Sequence, residues 1–318
     1  MKQNILVTGA AGFIASNLVE KLLLDENNFI VGIDNFDPFY SRSLKEIKLK
    51  QNLNSDRFYF IEGDILDPLI YKRIPCKIDF IIHLAAKAGV RPSILNPFEY
   101  QKANIEGTLS ILEYAKINNI KKFIFASSSS VYGVNENVPW KEDEKLMPIS
   151  PYAHTKLSCE MLGHVYSSIY SIQFISLRFF TVYGPGQRPD LAIHKFFRSI
   201  LNGEHISLYG DGNTFRDYTY VDDVVNGIIS SMSYNLTKFE IFNIGNNNTI
   251  SLIDLVRNIE KVTKKAAIIS FLPEQLGDVP RTFADLSKSN KLLHYSPKTT
   301  IDIGLQNFYS WFTDNKLK

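Results

Sequence analysis

Ile5-Leu6-Val7-Thr8-Gly9-Ala10-Ala11-Gly12-Phe13-Ile14-Ala15 places a short apolar run, a glycine-rich turn and the start of a helix in direct succession. Apolar residues at Ile14, Leu18, Leu22 and Leu23 recur at helical spacing, so the unit reads as strand, turn and helix. The chain must turn tightly between such a strand and its helix, and the free amides that open the helix can meet a pyrophosphate. A glycine pair also suits an ordinary strand–helix turn. What raises it to a dinucleotide site is Asp34, which ends the next strand about 20 residues beyond Gly12, where a carboxylate accepts hydrogen bonds from the adenosine ribose hydroxyls. No Arg or Lys adjoins Asp34 in sequence, so a 2′-phosphate meets repulsion there and NAD is favoured over NADP. Asp64, after the third strand, is either an adenine contact or a surface-loop carboxylate.

Outward from this unit, Phe29–Ile33, Phe58–Ile61, Phe80–His83, Lys122–Ala126 and Phe174–Arg178 read as further strands, and Phe98–Ile117 and Tyr152–Tyr170 as helices. Strands apolar on both faces and separated by helical stretches predict a parallel sheet covered on both sides, with its ligand crevice at the strands' carboxyl ends. The fold class is α/β: a Rossmann-type doubly wound parallel sheet with a smaller, interleaved C-terminal domain. Residues 1–178 form the predicted dinucleotide-binding domain. Residues 179–318 form the second, and within them a helix over Asp222–Met232 and a strand over Glu240–Ile244 lead 220–248 back to the first sheet. Between these lie a Gly/Pro-rich loop at Tyr183–Pro189, a helix over Asp190–Leu201, a short strand at Ile206–Tyr209 and the turn Gly210–Asn213. Helices at Ser251–Lys261 and Ile301–Trp311 complete the chain, the first with Ser251 as N-cap.

Composition sets the outer limits. With 318 residues, 45% of them hydrophobic, the chain can bury a sizeable core. Lys+Arg 35 against Asp+Glu 33 gives a net charge of +2, without the clustered basic excess of a nucleic-acid binder. Cys76 and Cys159 make no disulfide framework and suit a reducing compartment. No signal-peptide pattern and no apolar run of the roughly 18–20 residues that cross a bilayer is found, which predicts a soluble cytoplasmic protein. No Cys/His spacing suggests a metal.

Tyr152-Ala153-His154-Thr155-Lys156 opens a helix and puts Tyr152 and Lys156 one turn apart on one face. An ammonium beside a phenol favours the phenolate and brings it toward the range for proton transfer. Taken alone, this is equally a surface i,i+4 pair. Ser127-Ser128-Ser129-Ser130-Val131-Tyr132-Gly133 follows the fifth strand on the same crevice edge, where hydroxyls can bind a sugar oxygen or merely cap a loop. The ordered set of glycine turn, Asp, serine cluster and YxxxK, each at a strand end, is far more specific than any member. His83, at a strand end beside the crevice, is read as structural, and His154 as exposed.

With these residues in view the chain resembles the extended short-chain dehydrogenase/reductases, specifically the NAD-dependent nucleotide-sugar epimerases. The matching stretches run through the whole chain: TGAAGFIAS (8–16), DNFDPFY (34–40), HLAAKAGVRPS (83–93), SSSSVYG (127–133), SPYAHTK (150–156), RFFTVYGPGQRPD (178–190), RDYTYVDD (216–223) and GDVPRTFAD (277–285). The resemblance implies a catalytic set of Ser128, Tyr152 and Lys156. It implies NAD contacts at Gly9, Gly12, Phe13, Ile14, Asp34, Asn35, Asp64, Ile65, Leu84, Ala85, Ala86 and Asn104, with Tyr152 and Lys156. Arg216 and Arg281 match residues that grip a substrate diphosphate, where a guanidinium pairs bidentately with phosphate oxygens. Ala15 replaces the third glycine of GxxGxxG, and its methyl is expected to shift the helix slightly on the sheet.

Within the family, 4,6-dehydratases place an acidic pair after the catalytic hydroxyl, and sugar-acid decarboxylases place a Glu before the Val. Here those positions are Ser129 and Ser130, so reversible oxidation at C4 remains. AGVRPS, SSSSVYG, FFTVYGPGQRPD and DNFDPFYSRSLKEIKL (34–49) look most like the UDP-glucuronate 4-epimerases, and Thr181 stands where UDP-galactose epimerases usually carry Asn. The resemblance therefore implies a UDP-sugar substrate, UDP-glucuronate foremost, with Arg91, Ser128, Ser129, Ser130, Thr181, Arg188, Tyr209, Arg216 and Arg281 as candidate contacts. Epimerases of UDP-glucose or UDP-N-acetylglucosamine, a decarboxylase or dehydratase, and a non-catalytic NAD-binding scaffold are the alternatives. A homodimer through the helices at 98–117 and 152–170, and service in polysaccharide biosynthesis, are further family expectations; simple packing of those helices on the sheet is the alternative to the dimer.

Overall fold

The computed structural model describes residues 2–273 and 277–317. Its centre is a seven-stranded sheet built from β1 (Gln3–Thr8), β2 (Asn28–Asp34), β3 (Phe58–Glu62), β4 (Phe80–His83), β5 (Lys122–Ser128), β6 (Gln173–Phe179) and β10 (Phe239–Ile244). The spatial order is β10-β6-β5-β4-β1-β2-β3, and every pairing is parallel. The order reverses between β1 and β4, which opens the crevice at their carboxyl ends. Two small sheets stand beside it. One joins β7 (Thr181–Tyr183), β9 (Phe215–Tyr220) and β11 (Thr249–Ser251), and the other β8 (His205–Tyr209) and β12 (Ile268–Leu272).

Alternation along each strand feeds two cores. Ile5 and Val7 of β1, with Ile82, Ile124 and Ile175, pack with residues of helices α1 (Phe13–Leu22) and α8 (Val221–Met232) in one core. Leu6, Val31, Ile81, Phe123 and Phe174 share the other with residues of α5 (Gly107–Ile117) and α6 (Pro151–Tyr170). Such burial on both faces is why these strands read as continuous apolar runs. The remaining helices are α2 (Arg42–Asn52), α3 (Val90–Leu95), α4 (Pro97–Tyr100), α7 (Ala192–Asn202), α9 (Leu252–Thr263), α10 (Ser287–Leu293) and α11 (Ile301–Asp314).

The sequence reading differs at several places. α2, α3, α10, β7, β9, β11 and β12 are not predicted. The helix expected over 98–117 is α4, a π-helical stretch over Gln101–Glu106 and α5 in succession. Ala15 is buried in the core at the first turn of α1. Among the described residues no helix is long and apolar enough to cross a membrane, and no cluster of His, Cys, Asp or Glu could hold a metal ion.

Candidate active site

At the carboxyl edge of the sheet lies a cleft of about 520 Å³. Its first wall comes from the ends of β1 to β4. Gly9 turns with φ +72°, and a Cβ there would stand 2.9 Å from the Ala85 backbone, so only glycine lets these two loops touch. Gly12 caps α1 without a side-chain acceptor, which leaves the first helical amides free to face the cleft. Asp34 is buried and accepts from the Ala11 amide (3.1 Å) and the Phe36 amide (2.7 Å), fixing its carboxylate at the crevice. Burial pushes its pKa up, against the nearby Lys45 and those two amides. Asn35 Nδ2 donates to Asp64 at 3.0 Å, which links the ends of β2 and β3.

Although no Arg or Lys adjoins Asp34 in sequence, Lys45 stands near it in space. α2 folds back and brings Lys45 into the same cleft, with its Nζ on the Asp37 carbonyl (2.8 Å) and 4.8 Å from the Tyr40 ring centre. Nothing in the local sequence around Asp34 carries that approach.

The second wall is the serine turn. Ser128 ends β5, and a single 3₁₀ turn over Ser129–Tyr132 follows. The Ser128 hydroxyl oxygen accepts from the Ser130 amide (3.2 Å) and the Ser130 hydroxyl (2.9 Å). Gly133 closes the turn at φ +57°, where a Cβ would lie 1.7 Å from the Met147 carbonyl oxygen. Ser128, Ser129 and Ser130 all line the cleft.

α6 delivers the third component. Ser150 caps it by accepting from the Ala153 amide at 3.1 Å, and Pro151 follows at the first helical position. Tyr152 therefore stands second in the first turn, and its amide is held by the Ser93 hydroxyl oxygen at 3.1 Å. Lys156 is buried one turn later; its Nζ donates to the Ala126 carbonyl at 2.7 Å and lies 6.0 Å from the Tyr152 ring centre. Burial brings the Lys156 pKa down to about 8. Burial also pushes the Tyr152 phenol above its ordinary value, and the groups that oppose this rise are Ser128 and the Arg188 guanidinium. The sequence expectation gave that task to Lys156; in the structure its ammonium is turned toward the Ala126 carbonyl. Arg188 itself is held by Asp190 through Nε (2.9 Å) and Nη2 (2.7 Å).

Of the residues singled out from sequence, Gly9, Gly12, Phe13, Ile14, Asp34, Asn35, Asp64, Ile65, Leu84, Ala85, Ala86, Ser128, Ser129, Ser130, Tyr152, Lys156, Thr181, Arg188 and Arg216 share this one cleft. Asn104, Arg91, Tyr209 and Arg281 are not among its lining residues. Asn104 is buried behind the wall, where its side chain accepts from the Lys87 amide (2.8 Å) and donates to the Lys87 carbonyl (3.0 Å) and Thr155 (2.9 Å). Arg91 pairs with Asp278 at 2.7 Å and lies over the Tyr209 ring at 4.5 Å. Arg281 is exposed, 4.7 Å over the Phe215 ring. Asp37, Tyr40, Lys45, Lys87 and Asp278 line the cleft and escaped the sequence reading; DNFDPFY and GDVPRTFAD were visible as motifs, but which of their side chains turn inward depends on loop geometry. His83 is buried between the Thr8 hydroxyl (2.6 Å) and the Thr108 hydroxyl (3.1 Å), away from the cleft lining, and His154 is exposed.

A parallel doubly wound sheet with this glycine turn, Asp34, and a Ser128–Tyr152–Lys156 set defines the extended short-chain dehydrogenase/reductase class. The GDP-mannose 4,6 dehydratase family model matches residues 6–308. An uncharacterized protein of Methanocaldococcus jannaschii is 48% identical, over 99% of this chain and 97% of its own. A UDP-glucuronate 4-epimerase of Thermodesulfobacterium geofontis is 39% identical, over 98% and 96%. The crystal structure of UDP-glucuronic acid 4-epimerase from Bacillus cereus, in complex with UDP-glucuronic acid and NAD, superimposes with a TM-score of 0.93 at 38% identity and covers 98% of this chain and 100% of that one. The chain belongs to this family, the extended short-chain dehydrogenase/reductase nucleotide-sugar epimerases.

Proposed function

We propose that this chain is an NAD-dependent 4-epimerase that interconverts UDP-glucuronate and UDP-galacturonate through a transient 4-keto sugar. The observation that carries the reading is the meeting of Ser128–Ser130, Tyr152, Thr181 and Arg188 in one cleft, with the hydroxyls of Ser129 and Ser130 where a dehydratase would carry carboxylates. The cofactor fits the first wall. The Gly9 cradle would be filled by any Cβ, the α1 amides are free, and Asp34 stands at the strand end for the ribose. NAD, when bound, supplies a reversible acceptor for the hydride at sugar C4.

The remaining chemistry belongs to the chain. Tyr152 takes the proton of the sugar 4-hydroxyl and later returns it, Ser128 holds the same oxygen, and Arg188 and Ser128 keep the buried phenol from rising further out of range. Lys156, anchored on the Ala126 carbonyl with its Nζ 6.0 Å from the Tyr152 ring centre, would hold the nicotinamide ribose. A 4-keto sugar acid is a β-keto acid and readily loses carbon dioxide. Ser129, Ser130, Thr181 and Arg188 hold the carboxylate out of the geometry for that loss, and Arg216 takes the diphosphate. Residues 1–178 with 220–248 serve the cofactor, and the rest of 179–318 serves the nucleotide sugar.

In the same proposal the enzyme is a cytoplasmic homodimer that supplies an activated sugar for polysaccharide biosynthesis. What supports the dimer is an exposed apolar face over Leu109 and Ile117 of α5 and Met161, Val165 and Ile169 of α6. The function is tested by incubating the enzyme with UDP-glucuronate and resolving the products. UDP-galacturonate is expected, and conversion of UDP-glucose or UDP-N-acetylglucosamine instead would reassign the substrate.

A further inference from the structure

We infer that the buried Glu160–Arg178 ion pair is a positioning element that sets the serine turn against Tyr152 and Lys156. The inference rests on the reaction proposed above. Glu160 lies on α6 one turn after Lys156 and two after Tyr152, fully buried. Its Oε1 accepts from Arg178 Nε (3.0 Å), the Ser127 hydroxyl (2.5 Å) and the Ser176 hydroxyl (3.2 Å), and its Oε2 accepts from Arg178 Nη2 (2.8 Å). Arg178, on β6, uses Nη1 to donate to the Tyr132 hydroxyl and the Glu142 carbonyl, both at 3.0 Å, and stacks 4.9 Å over the Tyr132 ring. Tyr132 in turn donates to Asn243 Oδ1 of β10 at 2.7 Å.

The pair thus grips the serine turn at both ends, Ser127 through Glu160 and Tyr132 through Arg178. Ser128, Ser129 and Ser130, which line the cleft together with Ser127, lie between the two grips. Because Glu160 sits on the helix that carries Tyr152 and Lys156, the proton-transfer group and the hydroxyls are fixed to one reference. Stability alone is a poor reason for such a pair, since well-packed apolar residues in its place are often as stable or more so. Satisfied buried polar networks, by contrast, specify one arrangement.

Ser127→Ala and Tyr132→Phe each cut one grip and leave the ion pair whole; Glu160→Gln removes the charge. Each is assayed with UDP-glucuronate for kcat, KM and product distribution, alongside bound NAD and melting temperature. For Ser127→Ala and Tyr132→Phe, kcat is expected to fall on the order of 10-fold, the scale of a small misplacement of reacting groups. KM and bound NAD hold, and a larger share of turnovers ends in carbon dioxide loss or a released 4-keto sugar. Parent values of kcat and product distribution in both variants would overturn the inference, even if their melting temperatures drop. Glu160→Gln is expected to show both defects together; if it does not fold, the two single-grip variants decide. A parent enzyme inactive on UDP-glucuronate overturns the substrate reading instead, and the variants are then compared on the UDP-sugar that the parent converts.

Discussion

Lys156 Nζ donates to the main-chain carbonyl of Ala126 at 2.7 Å, which ties the ammonium of α6 to the strand that ends in Ser128. The ammonium is buried, and its pKa falls from 10.5 to about 8. Between pH 8 and 10.5 the folded chain therefore binds fewer protons at this site than the unfolded one, so stability from this group rises with pH across that window. Relative to Lys156→Met, the parent should gain stability between pH 8 and 10.5 and show no such relative change between pH 6 and 7.5. Chemical denaturation of both proteins across this range checks the sign, and the Met variant should also lose most of its turnover.

His83 gives a second titration at the opposite end. Its ring is enclosed by Thr8, Thr108, Phe123 and Phe125, with Lys156 as the nearby charge. Burial first, and Lys156 second, bring its pKa down from 6.5 to about 3. The unfolded state binds the extra proton between these values, so stability from His83 is present above pH 6.5 and is lost as pH falls toward 3. His83→Gln should be less sensitive to acid than the parent over that interval. Equal acid sensitivity in thermal melts would show that His83 is not held neutral.

Most of this architecture is legible in the sequence because the parallel strands are buried on both faces and announce themselves as apolar runs. β10 is one case: its half-apolar sequence leads back to the first sheet, and in the structure it pairs with β6. α2 is the opposite case. Arg42–Asn52 carries charged or polar residues on most positions and buries only Lys45, Leu49 and Asn52, so its apolar stripe is too thin to signal a helix. Missing α2 meant missing Lys45 in the cofactor cleft. The YxxxK spacing put Tyr152 and Lys156 on one helical face, yet the direction of the Lys156 ammonium depends on the Ala126 carbonyl, a contact that bridges 30 positions of chain. Glu160 and Arg178 were invisible for the same reason: each is one charge in an apolar stretch, and only the fold pairs them.

The exposed face of α5 and α6 carries the third prediction. Met161, Val165 and Ile169 recur every four residues along α6 and stand in solvent, beside Leu109 and Ile117 of α5. A second copy of this face would cover it. Val165→Glu should convert a dimer into a monomer by light scattering and leave the sheet and bound NAD intact. A parent that runs as a monomer at micromolar concentration would remove the proposal.

Tyr152 is the sharpest test of the chemistry. Burial holds its phenol above the ordinary value, with Ser128 and Arg188 opposing the rise, so its environment is arranged around the protonation of one oxygen. Tyr152→Phe deletes that oxygen and keeps the ring, which packs edge-on to Tyr100 at 6.3 Å. The fold and the cofactor walls do not depend on the hydroxyl, so the variant should purify with its NAD. Turnover should fall by about 100- to 10,000-fold, the range of a lost general acid–base. Because the hydride taken from C4 is returned in the same cycle, the parent should not consume added NADH in proportion to product. A Phe variant with parent activity would remove Tyr152 from the reaction, and stoichiometric NADH consumption would replace epimerisation with a net reduction.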